Sequence, residues 1–178
     1  MQEYVSFMEI STYLSRIHHP LSVHVDYDTL RSLHRSHMLS VPFENLDIVP
    51  LQRPIKLDEH SLWDKIIVQK RGGFCYELNG EFAWLLKNIG FEVTYLNGRV
   101  YNQSGERGCD FDHLTLLVQI PNNSDSWLAD VGFGDSFLEP LSFNDREEQI
   151  QGLRAYRLES VEGGMDMLQR DYNGKWER

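Results

Sequence analysis

Nine consecutive residues decide the fold, and they read Arg71-Gly72-Gly73-Phe74-Cys75-Tyr76-Glu77-Leu78-Asn79. The two adjacent glycines end one helical pattern and allow backbone angles that other residues avoid. A new helical pattern starts at once, because apolar residues recur at helix spacing at Leu78, Phe82, Leu85, Leu86 and Ile89. The sequence therefore predicts that Cys75 lies at or beside the N-terminus of a buried helix.

This position favours chemistry at Cys75. The free N–H groups and the positive dipole end of a helix stabilise an anion. A cysteine placed there ionises more easily and becomes a better nucleophile. Free cysteines are also common as inert core residues. A nucleophilic role therefore requires a nearby base and a group that orients the base.

The candidates for base and orienting group are His113 and Asp130. The pattern predicts strands over residues 113–120 and 127–131, joined by a turn near residue 122. His113 lies nine residues before that turn and Asp130 eight residues after it, so a hairpin would bring them to the same end. A carboxylate in an apolar strand is costly unless it is paired, and His113 would be such a partner. The alternative is that Asp130 only caps a turn.

Composition excludes several classes of protein. The chain of 178 residues has a formal net charge of −10 and no basic run, which argues against nucleic acid as a partner. No apolar run is as long as a membrane span, and the first residues resemble neither a signal nor a transit peptide. Two cysteines do not make a secreted disulfide framework, so we expect a cytoplasmic protein, with a bond between Cys75 and Cys109 left open. Cys75, Cys109 and His113 lack a second Cys/His pair at ligand spacing, and no metal is predicted.

The pattern changes from helix to strand at about Gly90, which predicts an α+β fold. Helices are expected over residues 7–17, 28–39 and 58–70 and from 75 onward, and later strands over 91–101, 153–161 and 165–172. Residues 132–152 read as a long loop. We therefore expect a helical domain over residues 1–90 that carries the nucleophile. A β-domain over residues 91–178 would carry the histidine and the aspartate.

At this point the chain resembles the arylamine N-acetyltransferases. The matching stretches occur in the family's order and are 42–46 (PFENL), 71–79 (RGGFCYELN), 113–114 (HL) and 130–134 (DVGFG). The resemblance implies a catalytic Cys75, His113 and Asp130 in the order of thiol-protease-like enzymes. It also implies an N-terminal helical bundle, an antiparallel β-barrel and a third, lid domain. Glu44 and Arg71 resemble a structural pair of the family.

The resemblance further implies a reaction and its substrates. Acetyl-coenzyme A would donate an acetyl group to Cys75, and the acetyl-cysteine would pass it to the nitrogen of an arylamine, arylhydroxylamine or hydrazine. Such ping-pong chemistry serves xenobiotic metabolism in the family. Phe43, Val100 and Phe133 match family positions that line the acceptor pocket, although each fits an ordinary core as well.

The chain departs from the family in length, because it stops where most of the lid and the end of the barrel would follow. We therefore expect an incomplete barrel, weak coenzyme A binding, and an acetyl-enzyme that water reaches readily. An open barrel edge would also allow self-association. Two other readings stay open: a thiol hydrolase that uses the same three residues, and a weakly active or inactive remnant that only binds.

Overall fold

The computed structural model describes residues 9–102, 104–170 and 173–177. The helices come first along the chain and are α1 (Ile10–Arg16), α2 (Tyr27–Ser40), α3 (Glu59–Trp63) and α4 (Cys75–Ile89). A π-helical turn, Asp64–Val68, follows α3 directly. The predicted start of the first helix, Phe7, lies outside the described residues. Within those residues, none of the helices is long and apolar enough to cross a membrane.

Local side chains explain where two of these helices start. Asp26 precedes α2, and its Oδ1 accepts a hydrogen bond from the backbone N–H of Thr29 at 2.8 Å. Asp58 precedes α3, and its Oδ1 accepts from Ser61 N–H at 3.0 Å. Both aspartates satisfy N–H groups that a helix start leaves without an intrahelical partner. The sequence predicted one continuous helix over residues 58–70, and its second half is the π-helical turn, which apolar spacing cannot distinguish from an α-helix.

In the described part of the chain, eight strands follow, in two antiparallel sheets. The first sheet contains, in order, β1 (Glu92–Gly98), β2 (His113–Gln119), β3 (Ser126–Ala129) and β4 (Leu141–Ser142). The second contains β5 (Gln149–Gln151), β6 (Arg154–Val161), β7 (Gly164–Arg170) and β8 (Trp176–Glu177). The sequence missed β4 and β5, which lie in the predicted loop. The predicted end of the β7 strand, Tyr172, lies outside the described residues.

An incomplete barrel was expected, and the described strands form two separate sheets without closing into a barrel. The pairing of the first sheet ends at β4, and β5 pairs with β6 instead. Glutamine side chains link the sheets in place of a backbone ladder. The amide of Gln149 contacts both backbone groups of Ser142 at 2.6 and 2.9 Å, and the amide of Gln151 contacts both backbone groups of Glu139 at 3.0 and 2.6 Å. An interposed side chain holds two strands too far apart for direct pairing, so the barrel stays open at this seam.

Among the residues that the structure describes, two apolar clusters form the interior. The larger one contains side chains of the helices, such as Leu78 and Phe82, together with Leu116, Ala129 and Val131 around the first sheet. The smaller one joins the two sheets and contains Leu128, Phe137, Leu141, Tyr156 and Leu158. The division into domains at about residue 90 stays a prediction, since the larger cluster includes side chains from both sides of it.

Glu81 on α4 is a buried acid. Its side chain is inaccessible to solvent, and no hydrogen-bond donor among the described residues reaches either carboxyl oxygen. Burial, with a smaller contribution from the charge of Glu59, raises the pKa of Glu81 to about 8. Because the ordinary value is 4.5, the folded chain holds a proton that the unfolded chain releases. Glu81 therefore costs the fold more free energy as the pH rises from 4.5 through about 8.

We expect Glu81→Gln to remove this pH dependence. Each unit of pKa shift corresponds to ~1.4 kcal/mol, so the stability advantage of the glutamine variant should grow by about 2–4 kcal/mol between pH 5 and pH 8. Urea unfolding of both proteins across this range measures the difference. Glu92→Gln, a change at an exposed glutamate, is the control and should leave the curve unaltered. Parallel stability curves for Glu81→Gln and the unaltered chain would contradict the expectation.

Candidate active site

Cys75 is the first residue of α4, as the Gly-Gly break predicted, and only 9% of it is exposed. A glutamate in the first turn holds this helix start in place. Glu77 Oε2 accepts a hydrogen bond from the backbone N–H of Phe74 at 3.1 Å, and both oxygens of Glu77 bind Lys65 Nζ at 2.7 and 2.8 Å. The thiol therefore lies at a helix N-terminus whose first turn is held in place by the contacts of Glu77 with Lys65 and Phe74.

His113 and Asp130 come from neighbouring strands, and their side chains are in contact. His113 opens β2, and Asp130 follows β3 directly. Both are buried, and His113 Nε2 lies 2.5 Å from Asp130 Oδ2. The register pairs Leu116 with Ala129, so the hairpin symmetry inferred from the sequence brings the two residues to the same end, as expected.

The protonation of His113 follows from its neighbours. Burial lowers the pKa of His113, but hydrogen bonds to Asp130 and Cys75 and the charges of these two groups outweigh burial and raise the pKa to about 9. Because Nε2 is used by Asp130, the nitrogen left for the Cys75 thiol is Nδ1. The ordinary pKa of histidine is 6.5. The charged ring therefore stabilises the folded chain fully below pH 6.5, and this stabilisation is lost as the pH rises through about 9.

Asn79 and Gly132 fix the carboxylate of Asp130 on its other side. Oδ1 of Asp130 accepts from Asn79 Nδ2 and from the backbone N–H of Gly132, both at 2.9 Å. Asn79 also donates to Leu114 O at 2.7 Å and accepts from Val131 N–H at 2.9 Å. This fully buried amide joins α4 to both strands of the site. The sequence placed Asn79 in the decisive stretch without giving it a role, because its partners are distant along the chain.

A network of charged side chains lies behind the helix start. Lys65 Nζ is 2.8 Å from Asp47 Oδ2 and 3.8 Å from Glu44 Oε1, in addition to its contacts with Glu77. Arg71 binds Glu44 Oε1 at 2.7 Å and Asp47 Oδ1 at 3.0 Å. The pairing of Glu44 with Arg71 agrees with the resemblance. Lys65 and Asp47 were not singled out in the sequence, where charged residues on a helix or in a loop usually face solvent.

The three residues predicted to line the acceptor pocket differ in how they contact the site. The ring of Phe133 packs edge-on against His113, with centroids 5.1 Å apart. Phe43 is about half exposed and forms a backbone bridge to Gly73, two residues before Cys75. Val100 lies two residues past β1, where its carbonyl accepts from Gly108 N–H at 2.9 Å. A role for each in an acceptor pocket stays a prediction.

A surface groove of about 590 Å³ lies beside the site. Its lining includes Tyr76, Leu114, Trp84 and Tyr95. Tyr76 and Leu114 each follow a site residue directly, although Cys75 and His113 do not line the groove themselves. Across the described ranges, no group of three or more His, Cys, Asp or Glu side chains is arranged to hold a metal ion. Both cysteines are free thiols, with Cys75 buried and Cys109 exposed.

Gly132 lies against the backbone of Cys75, and we expect Gly132→Ala to displace Cys75. A Cβ at position 132 would lie 2.7 Å from the Cα of Cys75 and 2.8 Å from Asn79 Nδ2. Overpacking of this kind costs about 1–3 kcal/mol, and a displacement of about 1 Å lowers reactivity roughly 100-fold. The alkylation rate of Cys75 by iodoacetamide measures the effect. Gly134→Ala, which meets no atom within 4 Å, is the control, and equal rates for the two variants would contradict the expectation.

Comparison with known proteins identifies the family to which this chain belongs. A sequence profile of the N-acetyltransferase family matches residues 26–178. The chain is 37% identical over 169 residues to the arylamine N-acetyltransferase of Escherichia coli K12. It is 39% identical over 170 residues to the arylamine N-acetyltransferase / N-hydroxyarylamine O-acetyltransferase of Salmonella typhimurium. Each match covers 94% of this chain and 59% of the relative.

The solved structures lead to the same family. The arylamine N-acetyltransferase of Mycobacterium marinum in complex with CoA superposes with a TM-score of 0.86 at 31% identity, covering 94% of this chain and 62% of that one. The chain belongs to the arylamine N-acetyltransferase family, as its motifs predicted. It spans about 59% of the length of the curated relatives named above.

Proposed function

We propose that the chain transfers an acetyl group from acetyl-coenzyme A to the nitrogen of a small arylamine, arylhydroxylamine or hydrazine, with Cys75 as the nucleophile. The observation that carries this proposal is the position of the His113 ring. One ring nitrogen is bound to Asp130 at 2.5 Å, and Asp130 and Cys75 together raise the pKa of the ring to about 9. Family membership supplies the reaction type, and the CoA complex of the M. marinum relative supports the donor.

In the first half-reaction, the Cys75 thiolate attacks the thioester carbonyl and forms a new S–C bond. The tetrahedral oxyanion needs hydrogen-bond donors. The carbonyl of Phe74 accepts from Glu77 and Leu78 N–H at 3.0 and 2.9 Å. Among the described loop and cap contacts, the N–H groups of Cys75 and Tyr76 donate no hydrogen bond. We assign these two N–H groups to the oxyanion. As the thioester C–S bond breaks, coenzyme A leaves with the proton that His113 gives up.

In the second half-reaction, the amine nitrogen attacks the acetyl-cysteine. An aromatic amine is neutral at pH 7, so its lone pair is available for attack. His113, which is now neutral, takes the proton that the nitrogen loses as the C–S bond of the acetyl-cysteine breaks. Cys75 leaves as a thiolate, and the thiolate–imidazolium pair is restored. The exposed ring of Phe43 and the ring of Phe133 beside His113 offer apolar faces to an aromatic acceptor.

The test is to measure acetylated amine and free acetate together, for each coenzyme A released, with and without an aromatic amine. The proposal predicts amine-dependent release of coenzyme A with acetylated amine as the main product. Release without an amine, with acetate as the product, would mean that water is the acceptor and the chain is a thioester hydrolase. No release at all from a folded chain would contradict both activities.

A further inference from the structure

His34 on α2 is fully buried between the helices and the site. Its ring stacks on Phe137 at a centroid distance of 5.6 Å and an interplanar angle of 14°, and it meets the ring of Phe82 edge-on at 6.0 Å. In the sequence, His34 is one of several histidines with no evident role. The structure gives it two hydrogen bonds to residues about a hundred positions away along the chain.

The two hydrogen bonds determine the tautomer of His34. Nδ1 lies 2.9 Å from the carbonyl oxygen of Leu138, which can only accept, so Nδ1 carries the proton. Nε2 lies 3.0 Å from the backbone N–H of Asp130, which can only donate, so Nε2 presents its lone pair. The ring must therefore be neutral. Its pKa agrees, because burial outweighs the hydrogen bond to Leu138 and the charge of Asp130 and lowers the pKa to about 4.

We propose that His34 is a positioning residue for the site, which holds the backbone of Asp130 while Asn79 and Gly132 hold its carboxylate. The inference rests on the proposed function only in that the site is the one assigned to acetyl transfer. With His34 in place, Asp130 is fixed at its main chain and at both carboxyl oxygens. Without it, the backbone N–H of Asp130 loses its acceptor inside the protein. The residue can then shift, and its Oδ2 no longer fixes the orientation of the His113 ring.

His37, one turn further along α2, offers a matched control. It is as fully buried as His34, and Tyr13 Oη lies 2.9 Å from its Nδ1, but its Nε2 has no hydrogen-bond partner among the described residues. His37→Leu and His34→Leu therefore remove the same kind of buried ring from the same helix. Only His34→Leu removes a contact with Asp130.

The first measurement uses the unaltered chain and long-range ¹H–¹⁵N NMR of the histidine rings. The proposal expects His34 to be neutral and protonated on Nδ1 at pH 7. A ring protonated on Nε2, or on both nitrogens, would overturn it whether or not the chain transfers acetyl groups. This result does not depend on any variant folding.

The second measurement compares the two leucine variants by the far-downfield proton of the His113–Asp130 bond and by the rate of Cys75 alkylation as a function of pH. We expect His34→Leu to lose the downfield signal and to react about 10- to 100-fold more slowly at pH 7, while His37→Leu keeps both. Equal signals and rates in the two folded variants would overturn the proposal. If His34→Leu does not fold, the tautomer measurement decides. Neither readout requires acetyl transfer, so a failure of the proposed function is seen separately.

Discussion

Asp130→Asn is expected to lower the rate of acetyl-enzyme formation by about 10³–10⁴-fold, the scale seen when the carboxylate of a catalytic triad becomes an amide. The substitution changes one oxygen to an NH₂ group and leaves the size of the side chain almost unchanged. The expected loss arises because the proton of the His113 ring moves to the other nitrogen. The packing around the side chain should stay the same.

The neighbours of Asp130 decide which way the new amide points. Asn79 Nδ2 and Gly132 N–H both donate to Oδ1, so the amide oxygen must take this position and the NH₂ group must face His113. A donor facing Nε2 forces the ring to protonate on Nδ1 instead. Nδ1 is the nitrogen that the proposed mechanism assigns to Cys75. A neutral ring that is protonated on Nδ1 cannot accept the thiol proton.

Rapid-quench measurement of acetyl-enzyme formation tests this expectation. Asp125→Asn, at an exposed position in the turn between β2 and β3, is the control and should react like the unaltered chain. Circular dichroism should show that both variants are folded. A folded Asp130→Asn variant within tenfold of the unaltered rate would show that Asp130 does not set the tautomer of His113.

Lys65→Met is expected to have the largest effect on stability, lowering the free energy of unfolding by about 3–5 kcal/mol. The ammonium group lies within 2.8 Å of Glu77 and Asp47 and 3.8 Å from Glu44. Glu77 is only 3% exposed. Removing Lys65 leaves the negative charge of Glu77 buried and without its main partner. Nearby, Arg71 remains the partner of Glu44 and Asp47.

Urea unfolding measures this loss, and two further variants show its cause. Lys56→Met, at an exposed position nearby, should change stability by less than about 0.5 kcal/mol. The double variant Lys65→Met, Glu77→Gln should recover part of the loss, because the amide carries no charge to bury. A loss of less than about 1 kcal/mol for Lys65→Met would mean that water screens this network.

The start of α4 and the β2–β3 hairpin were predictable because both depend on residues near in sequence. Two glycines followed by apolar residues at helix spacing define where α4 begins. A turn flanked by two apolar strands brings His113 and Asp130 to one end. Local chain geometry was thus enough to place the candidate nucleophile and to bring base and acid together.

The residues that hold Asp130 in place were not predictable in the same way. Asn79 and His34 act through contacts with residues 51 and 96 positions away. Asparagines in helices and buried histidines occur in many proteins without contacting a reactive site, so the residue types alone carry no signal. Only the three-dimensional packing of α2 and α4 against the first sheet shows what they bind.

The division of the expected open barrel into two sheets was not predictable for a related reason. Alternating patterns correctly gave β1, β2, β3, β6 and β7 but contain no information on which strands pair across the sheets. The very short β4 and β5 lie below the length at which alternation is visible. The glutamine amides of β5 that join the two sheets look like ordinary surface residues in the sequence.

The most direct test of the whole account is to locate the acetyl group after brief reaction with acetyl-coenzyme A. Peptide mass spectrometry of the acid-quenched chain should find one acetyl group on Cys75, lost when an aromatic amine is added before the quench and absent in Cys75→Ser. The exposed thiol of Cys109 serves as an internal control and should stay unmodified. Acetylated amine formed without an acetyl group on Cys75, or an acetyl group found on Cys109 instead, would contradict the account.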